Sequence, residues 1–319
     1  MLGRAGLAFC LVVASAWAGP ALAQTNVTRG TVSLTATEWP SIVAQKKGFY
    51  AKEGLRVDEI TTSPTTITPT LIGGSIQFGF INASQLIIAI EADADLVAIG
   101  KGSDPSPYSL VAVPSVKSVK DLKGKTISLA EQGDAYAEAT REILRKAGLD
   151  PDKDVDIRYG GNSNQRMAAL TAGAIDAAPV VPPQDMILAK QGINSVAFYP
   201  DYFPELALSL TAVRRQWAKD NAETVKAFMR AQASAYAWLN DPANKAEAIK
   251  YLMEATKADE PAVAQAYDVY VNKLKAFAGN GCIGTKRIEM TVEMVSRVNK
   301  TVKSGTPVSK YIDTQYCPK

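Results

Sequence analysis

The sequence predicts an α/β protein of two similar lobes, each built from alternating strands and helices, with a helical C-terminal portion. Three observations carry this. First, Leu71-Ile-Gly-Gly-Ser-Ile-Gln-Phe-Gly-Phe-Ile81 aligns without a gap on Leu170-Thr-Ala-Gly-Ala-Ile-Asp-Ala-Ala-Pro-Val180, at an offset of 99. The same register sets Gln85 on Gln184 and Val97-Ala98 on Val196-Ala197, while Thr31-Val-Ser-Leu34 precedes Thr126-Ile-Ser-Leu129 by 95. Second, short apolar runs alternate with helix-period segments in both copies, the pattern of mostly parallel sheets covered on both faces. Third, helix-length segments follow one another after the second copy.

The first element is an address. Arg4 is followed by an apolar run over residues 7–17 and by Ala21-Leu22-Ala23, a small-x-small pattern, so an exported chain cut after Ala23 is expected. Cys10 lies inside that apolar run without the small residue a lipoprotein box needs before it. No other stretch is long enough to span a bilayer, and the mature chain is expected to be soluble. The expected layout is a leader over 1–23, a first lobe over 24–110 and 211–319 together with the C-terminal helices, and a second lobe over 111–210.

In the first copy, residues 32–35 read as a strand. Pro40 can open a helix where its missing N–H costs nothing, and Gly54 sits where that helix would be capped. Strands follow at 55–60, 76–81 and 96–99, with helices at 69–73 and 84–92. The second copy gives strands at 126–129, 155–159, 175–180 and 195–198, with a long helix over 135–146. Two extended apolar runs, 108–114 and 206–212, are the expected crossovers between lobes. Helices are then expected over 217–239, 243–255, 261–275 and 287–303. Phe228, Trp238, Tyr267 and Tyr270 recur there at helical spacing and read as core.

Composition narrows the chemistry. The net charge is +3 with Lys and Arg scattered, which leaves no electrostatic footprint for nucleic acid. There is no histidine in the chain, so every triad that relies on one is excluded, and no motif of a nucleotide-binding loop or zinc protease occurs. An enzyme is therefore disfavoured, with Asp134, Glu131 or a perturbed Lys as the remaining bases, and no cofactor or metal is expected. Cys282 and Cys317 form an even pair in an oxidising compartment, which points to one disulfide, two free thiols being the alternative.

In open sheets of this kind ligands bind beyond the carboxyl ends of the strands, at helix N-termini. The candidate corners are Thr37 to Pro40, Asn82-Ala83-Ser84, Glu131 to Asp134, Asn162-Ser163-Asn164 and Val181-Pro182-Pro183. The 95-residue offset places Trp39 on Asp134, and the 99-residue offset places Asn82-Ala83-Ser84 on Val181 and its neighbours. Trp39 could stack on a planar ligand or pack as core. Asn82 and Ser84 could bind a carboxylate, sulfonate or ring edge, or simply cap a helix. Gln132 shares the next corner, where Gly133 allows close backbone approach. Asp134 either caps a helix itself or meets an amine or N–H donor of the ligand. Tyr108 and Tyr136 could form a second aromatic wall, and Arg166 is the candidate counter-charge for an anion.

The runs from Pro40 to Leu55, Leu71 to Gly79, Val119 to Ile127 and Ala169 to Ala178 resemble the periplasmic solute-binding proteins of sulfonate, nitrate and taurine ABC importers, whose domain is named for thiamine-pyrimidine synthase. The resemblance implies a two-lobed, class II type binding-protein fold joined by two crossover strands. It also implies a periplasmic protein, expected as a monomer, that captures a small organic solute and delivers it to a membrane permease. Pocket residues in that family come from the corners matching Trp39, Asn82 to Ser84, and Gln132 to Tyr136. Glu131 and Asp134 depart from the family, where small or hydroxyl residues are usual. The alternatives are a binder of a thiamine pyrimidine precursor held between Trp39 and Tyr136, a ligand-sensing periplasmic module, and an enzyme without histidine on the same fold.

Overall fold

A computed structural model of the protein describes residues 24–318. The expected leader and its cleavage site lie outside them. In chain order the strands are β1 (Thr25–Thr31), β2 (Leu55–Thr61), β3 (Phe78–Asn82) and β4 (Leu96–Lys101), then β5 (Ser109–Ala112), β6 (Thr126–Leu129), β7 (Asp156–Tyr159), β8 (Ala177–Val180) and β9 (Asn194–Phe198), and finally β10 (Ser209–Arg214).

They form two five-stranded sheets, β2-β1-β3-β10-β4 and β7-β6-β8-β5-β9. The duplication seen in the sequence is preserved in this order, with one strand exchanged in each sheet. β5 leaves the first copy and enters the second sheet antiparallel to β8 and β9, while β10 returns to the first sheet antiparallel to β3 and β4. The expected crossover runs are these two strands. Each sheet is therefore mixed, not uniformly parallel, because the strand arriving from the other lobe runs against its neighbours.

One expected strand is misplaced. Residues 32–35 are not a strand; β1 ends at Thr31, where the Thr62 N–H donates to the Thr31 carbonyl and the parallel register with β2 runs out. The chain then turns, with the Thr35 side chain capping a 3-10 turn over Ala36–Glu38. The pairing explains the error. Arg29 faces Phe78 in one sheet and Ile127 faces Ala177 in the other, so equivalent first strands are not 95 residues apart. The short likeness between Thr31-Val-Ser-Leu34 and Thr126-Ile-Ser-Leu129 is therefore off register.

Two packing features join the lobes. The C-terminal helix Thr285–Val298 lies against both Ala83–Glu91, a helix of the first lobe, and Ala135–Lys146, a helix of the second. Its Ile288, Val292 and Val295 are buried in one continuous core with Leu86, Ile87, Ile143 and Leu144. At the start of that helix, Arg287 Nε meets Asp104 Oδ2 at 2.5 Å and Nη1 donates to the Pro204 carbonyl at 2.6 Å. Those two partners sit in the segments running into β5 and β10, so one guanidinium holds both connections between sheets.

The C-terminal tail extends the first sheet through backbone bonds between Ala98 and residues 311 and 313. Cys282 and Cys317 are disulfide-bonded, with Cα atoms 5.8 Å apart at a sequence separation of 35. Cross-linking a loop of that length contributes about 3–4 kcal/mol in the chain-entropy description. Reductant is therefore expected to lower the unfolding free energy by that order in denaturant titrations; an unchanged midpoint would show that the bond constrains nothing.

Candidate functional site

The carboxyl ends of the parallel strands from both sheets open onto one cavity of about 80 Å³. Thr31 ends β1, Asn82 ends β3, Glu131 follows β6, Asn162 follows β7 and Val181 follows β8; all line it. Tyr108, just before β5, and Ser209, at the start of β10, close the side where the crossovers pass. Larger grooves share part of this lining and lead to the surface.

The lobes touch across the cavity through polar side chains. Asn82 Nδ2 donates to Asp134 Oδ2 at 2.9 Å, and Gln85 Nε2 donates to Glu131 Oε1 at 2.6 Å. The first free amide of the Ala135–Lys146 helix, on Ala135, donates to Ser84 Oγ of the other lobe at 2.9 Å. Asn82 also caps its own helix, its Oδ1 accepting from the Ser84 and Gln85 N–H groups at 2.7 and 3.4 Å. Asp134 caps the opposing one, accepting from the Tyr136 N–H at 2.6 Å. Helix ends leave such amides unpaired, so residues that cap them collect where helices begin.

Of the residues singled out from the sequence, Asn82, Tyr108, Asp134, Arg166 and Val181 line the cavity together. Trp39 does not. It is fully buried; its indole N–H donates to the Ala248 carbonyl at 3.0 Å, and its ring meets Tyr267 and Tyr270 edge-on. The reason is the shifted first strand, which puts Thr35, Thr37 and Glu38 at the cleft and turns Trp39 inward beneath the C-terminal helices. Ala83 and Ser84 are buried beside the cavity, Ser84 serving as the cross-lobe cap. Tyr136 is buried too, donating to the Leu206 carbonyl at 3.1 Å and packing on Tyr108 and Tyr199. Gln132 and Gly133 line a neighbouring surface groove.

Other lining residues carried a weaker signal. Phe80 forms part of the wall, with the Arg29 guanidinium 5.0 Å from its ring centroid. Arg29 is buried and pairs with Glu38 at 2.6 Å and Glu59 at 3.3 Å; Thr31 donates its hydroxyl to Glu38 as well. Burial pushes the Glu38 carboxyl up, and Arg29 pulls it back. Arg29 and Thr31 stood in the segment ahead of the expected strand, so nothing marked them as part of a site.

Arg166 is 3% exposed and makes no salt bridge among the described residues. Its Nε donates to the Pro179 carbonyl at 3.0 Å and its Nη1 to the Gly161 carbonyl at 2.8 Å. Asp134 is pushed up to about 6, chiefly by burial, with the Tyr136 N–H opposing and Glu131 adding to the rise. No group of three or more metal-ligating side chains gathers among the described residues.

Two outcomes are expected. Truncating Trp39 to Ala should cost about 3–5 kcal/mol of stability in chemical unfolding, as for other large core rings; a loss below about 1 kcal/mol would remove it from the core. Asp134 binds its proton more tightly in the folded chain than in the unfolded one. The stabilisation this gives is complete below about pH 4 and is lost as pH rises through about 6. Asp134→Asn keeps the cap and cannot ionise, so its unfolding free energy should gain on wild type by about 1–3 kcal/mol between pH 4.5 and 7.5. A constant difference over that range would contradict the assignment.

The comparisons agree with this architecture. The nitrate/nitrite binding protein NrtA of Synechococcus elongatus is 26% identical over 252 residues, which is 69% of this chain and 56% of NrtA. The ligand-binding component of an ABC-type import system from Staphylococcus aureus superposes with a TM-score of 0.78 at 10% identity, covering 92% of this chain and 98% of that one. The alkanesulfonate-binding protein SsuA of Xanthomonas axonopodis pv. citri, bound to MOPS, gives 0.70 at 20% identity, with 88% and 96% covered. At these identities the two solved structures speak for the two-lobed fold alone. The family described as NMT1/THI5 like matches residues 37–246, and the chain belongs to that family.

Proposed function

We propose that the protein is the solute-binding component of an ABC-type importer, closing its lobes around a small organic solute and releasing it unaltered to a membrane permease. The observation that carries this reading is a cavity walled by strand ends of both lobes and containing one buried guanidinium, Arg166, without an acidic partner among the described residues. A guanidinium held by two backbone carbonyls keeps its remaining donors in a fixed fork, the arrangement that recognises a carboxylate or sulfonate. Membership of the family and the name of the nitrate-binding relative support the same role.

The leader over 1–23 belongs to this reading, as does a periplasmic, monomeric mature chain starting at Gln24. So does the division into a first lobe over 24–110 and 211–319 and a second over 111–210. No helix among the described residues is long and apolar enough to cross a membrane; the scheme assigns the permease to a separate chain. A pyrimidine clasped between Trp39 and Tyr136 is disfavoured, because neither ring lines the cavity. Turnover is disfavoured by the lack of histidine, the usual proton carrier at neutral pH.

A thermal-shift screen of organic anions, followed by calorimetry on hits and mass spectrometry of the released compound, tests the proposal. Binding with the solute recovered intact is expected. Arg166→Lys should weaken it at least tenfold, or about 1.4 kcal/mol, since an ammonium cannot reproduce the fork. Conversion of the bound compound, or affinity indifferent to Arg166→Lys, would refute it.

A further inference from the structure

The charges around the cavity are unequal. Glu38, Glu131, Asp134 and Arg166 all line it, and Arg166 is the one cationic side chain in that lining among the described residues. Glu38 pairs with Arg29 at 2.6 Å, a guanidinium it shares with Glu59 at 3.3 Å. The other two acids have no such partner. Asp134 accepts from the Tyr136 N–H and from the Asn82 amide, and Glu131 accepts from the Gln85 amide. These are neutral dipoles, and neither acid forms a salt bridge among the described residues. The site thus presents one guanidinium and two carboxyl groups without ionic partners among the described residues; Arg166 and Asp134 are buried, where screening is weak, and Glu131 is half-buried beside a groove that leads to the surface.

A purely anionic solute would satisfy Arg166 and be repelled by Glu131 and Asp134. A purely cationic one would leave the guanidinium buried and unmatched. We propose that the solute is a small zwitterion, its carboxylate or sulfonate taken by Arg166 and its ammonium or amidinium group taken by Glu131 and Asp134. This rests on the reading of the cavity as a solute site. The cavity is small, about 80 Å³, and continuous at its rim with grooves that lead to the surface, which suits a short chain carrying two charged ends.

The protonation of the site gives the proposal a signature. Besides its burial, the groups that act on Asp134 are the Tyr136 N–H, Glu131 before its helix, Arg166 on the Ser163–Thr171 helix and the Asn82 amide from the other lobe. Tyr108, Tyr136 and Tyr199 pack around the same corner and stay neutral, burial raising all three. Asp134 changes charge near about pH 6, and Glu38, also raised by burial, faces the cavity from the first lobe beside Arg29. An ammonium needs Asp134 ionised, so zwitterion affinity falls as the pH drops through that region. An anion benefits from its protonation, so anion affinity rises.

The test uses matched pairs on the full mature chain: 3-aminopropane-1-sulfonate against propane-1-sulfonate, and 3-aminopropanoate against propanoate, with propylamine as the cation alone. Calorimetry at pH 7.5 and 5.0 is expected to show at least tenfold tighter binding of an amino compound than of its deaminated partner, weakening at the lower pH. Glu131→Gln should erase most of that preference while leaving the anion's affinity unchanged or improved. Equal or tighter binding of the plain anions, strengthening at pH 5.0, would overturn the zwitterion and leave the solute-binding reading intact. If none of these probes binds, yet the screen finds a ligand without a cationic nitrogen, the zwitterion is again overturned. Absence of any ligand across the whole screen would overturn both.

Discussion

The Ser84 hydroxyl accepts the first free amide of a helix that belongs to the other lobe. That bond satisfies a helix-start amide of one lobe with a side chain of the other, so it exists only while the lobes are in contact; Asp134 caps the same helix from its own lobe. Asn82 and Asp134 repeat the pattern: each caps its own helix with one oxygen, and they meet through the Asn82 amide and the second Asp134 oxygen. A neutral hydrogen bond contributes only about 1 kcal/mol net, so a few such contacts bias closure without locking it. A solute that adds contacts to both walls can then decide the state, as population shift requires.

The rest of the fold keeps those two helix ends opposite each other. The exchanged strands β5 and β10 connect the sheets, and Arg287 ties the segments leading into both. The Thr285–Val298 helix rests on one helix from each lobe. Within the cleft, the buried Arg29–Glu38 pair, with Glu59 as the guanidinium's second partner, shapes the first lobe's wall. Arg166, Glu131 and Asp134 are the charged lining residues without an ionic partner among the described residues.

Much of this was legible in the sequence. The 99-residue repeat located β3 and β8 and the loops after them, which is why Asn82 and Val181 were placed at the cavity. Asp134 and Arg166 were found through helix starts, a local signal that survives errors elsewhere. Trp39 was misjudged because four residues of chance likeness shifted the first strand, and a few residues past a strand end decide whether a side chain faces the cleft or the core. The Arg29–Glu38–Thr31 network was invisible for a different reason. Its members are close only after β1 pairs with β2 and the following turn folds back, and no periodic pattern records that.

The claim that the two lobes form a clamp is tested most directly by small-angle X-ray scattering on the mature chain, free and saturated with its solute. The account requires a larger radius of gyration in the free protein, contracting on saturation to the value calculated from the closed structure. Superimposable curves in the two states would contradict it.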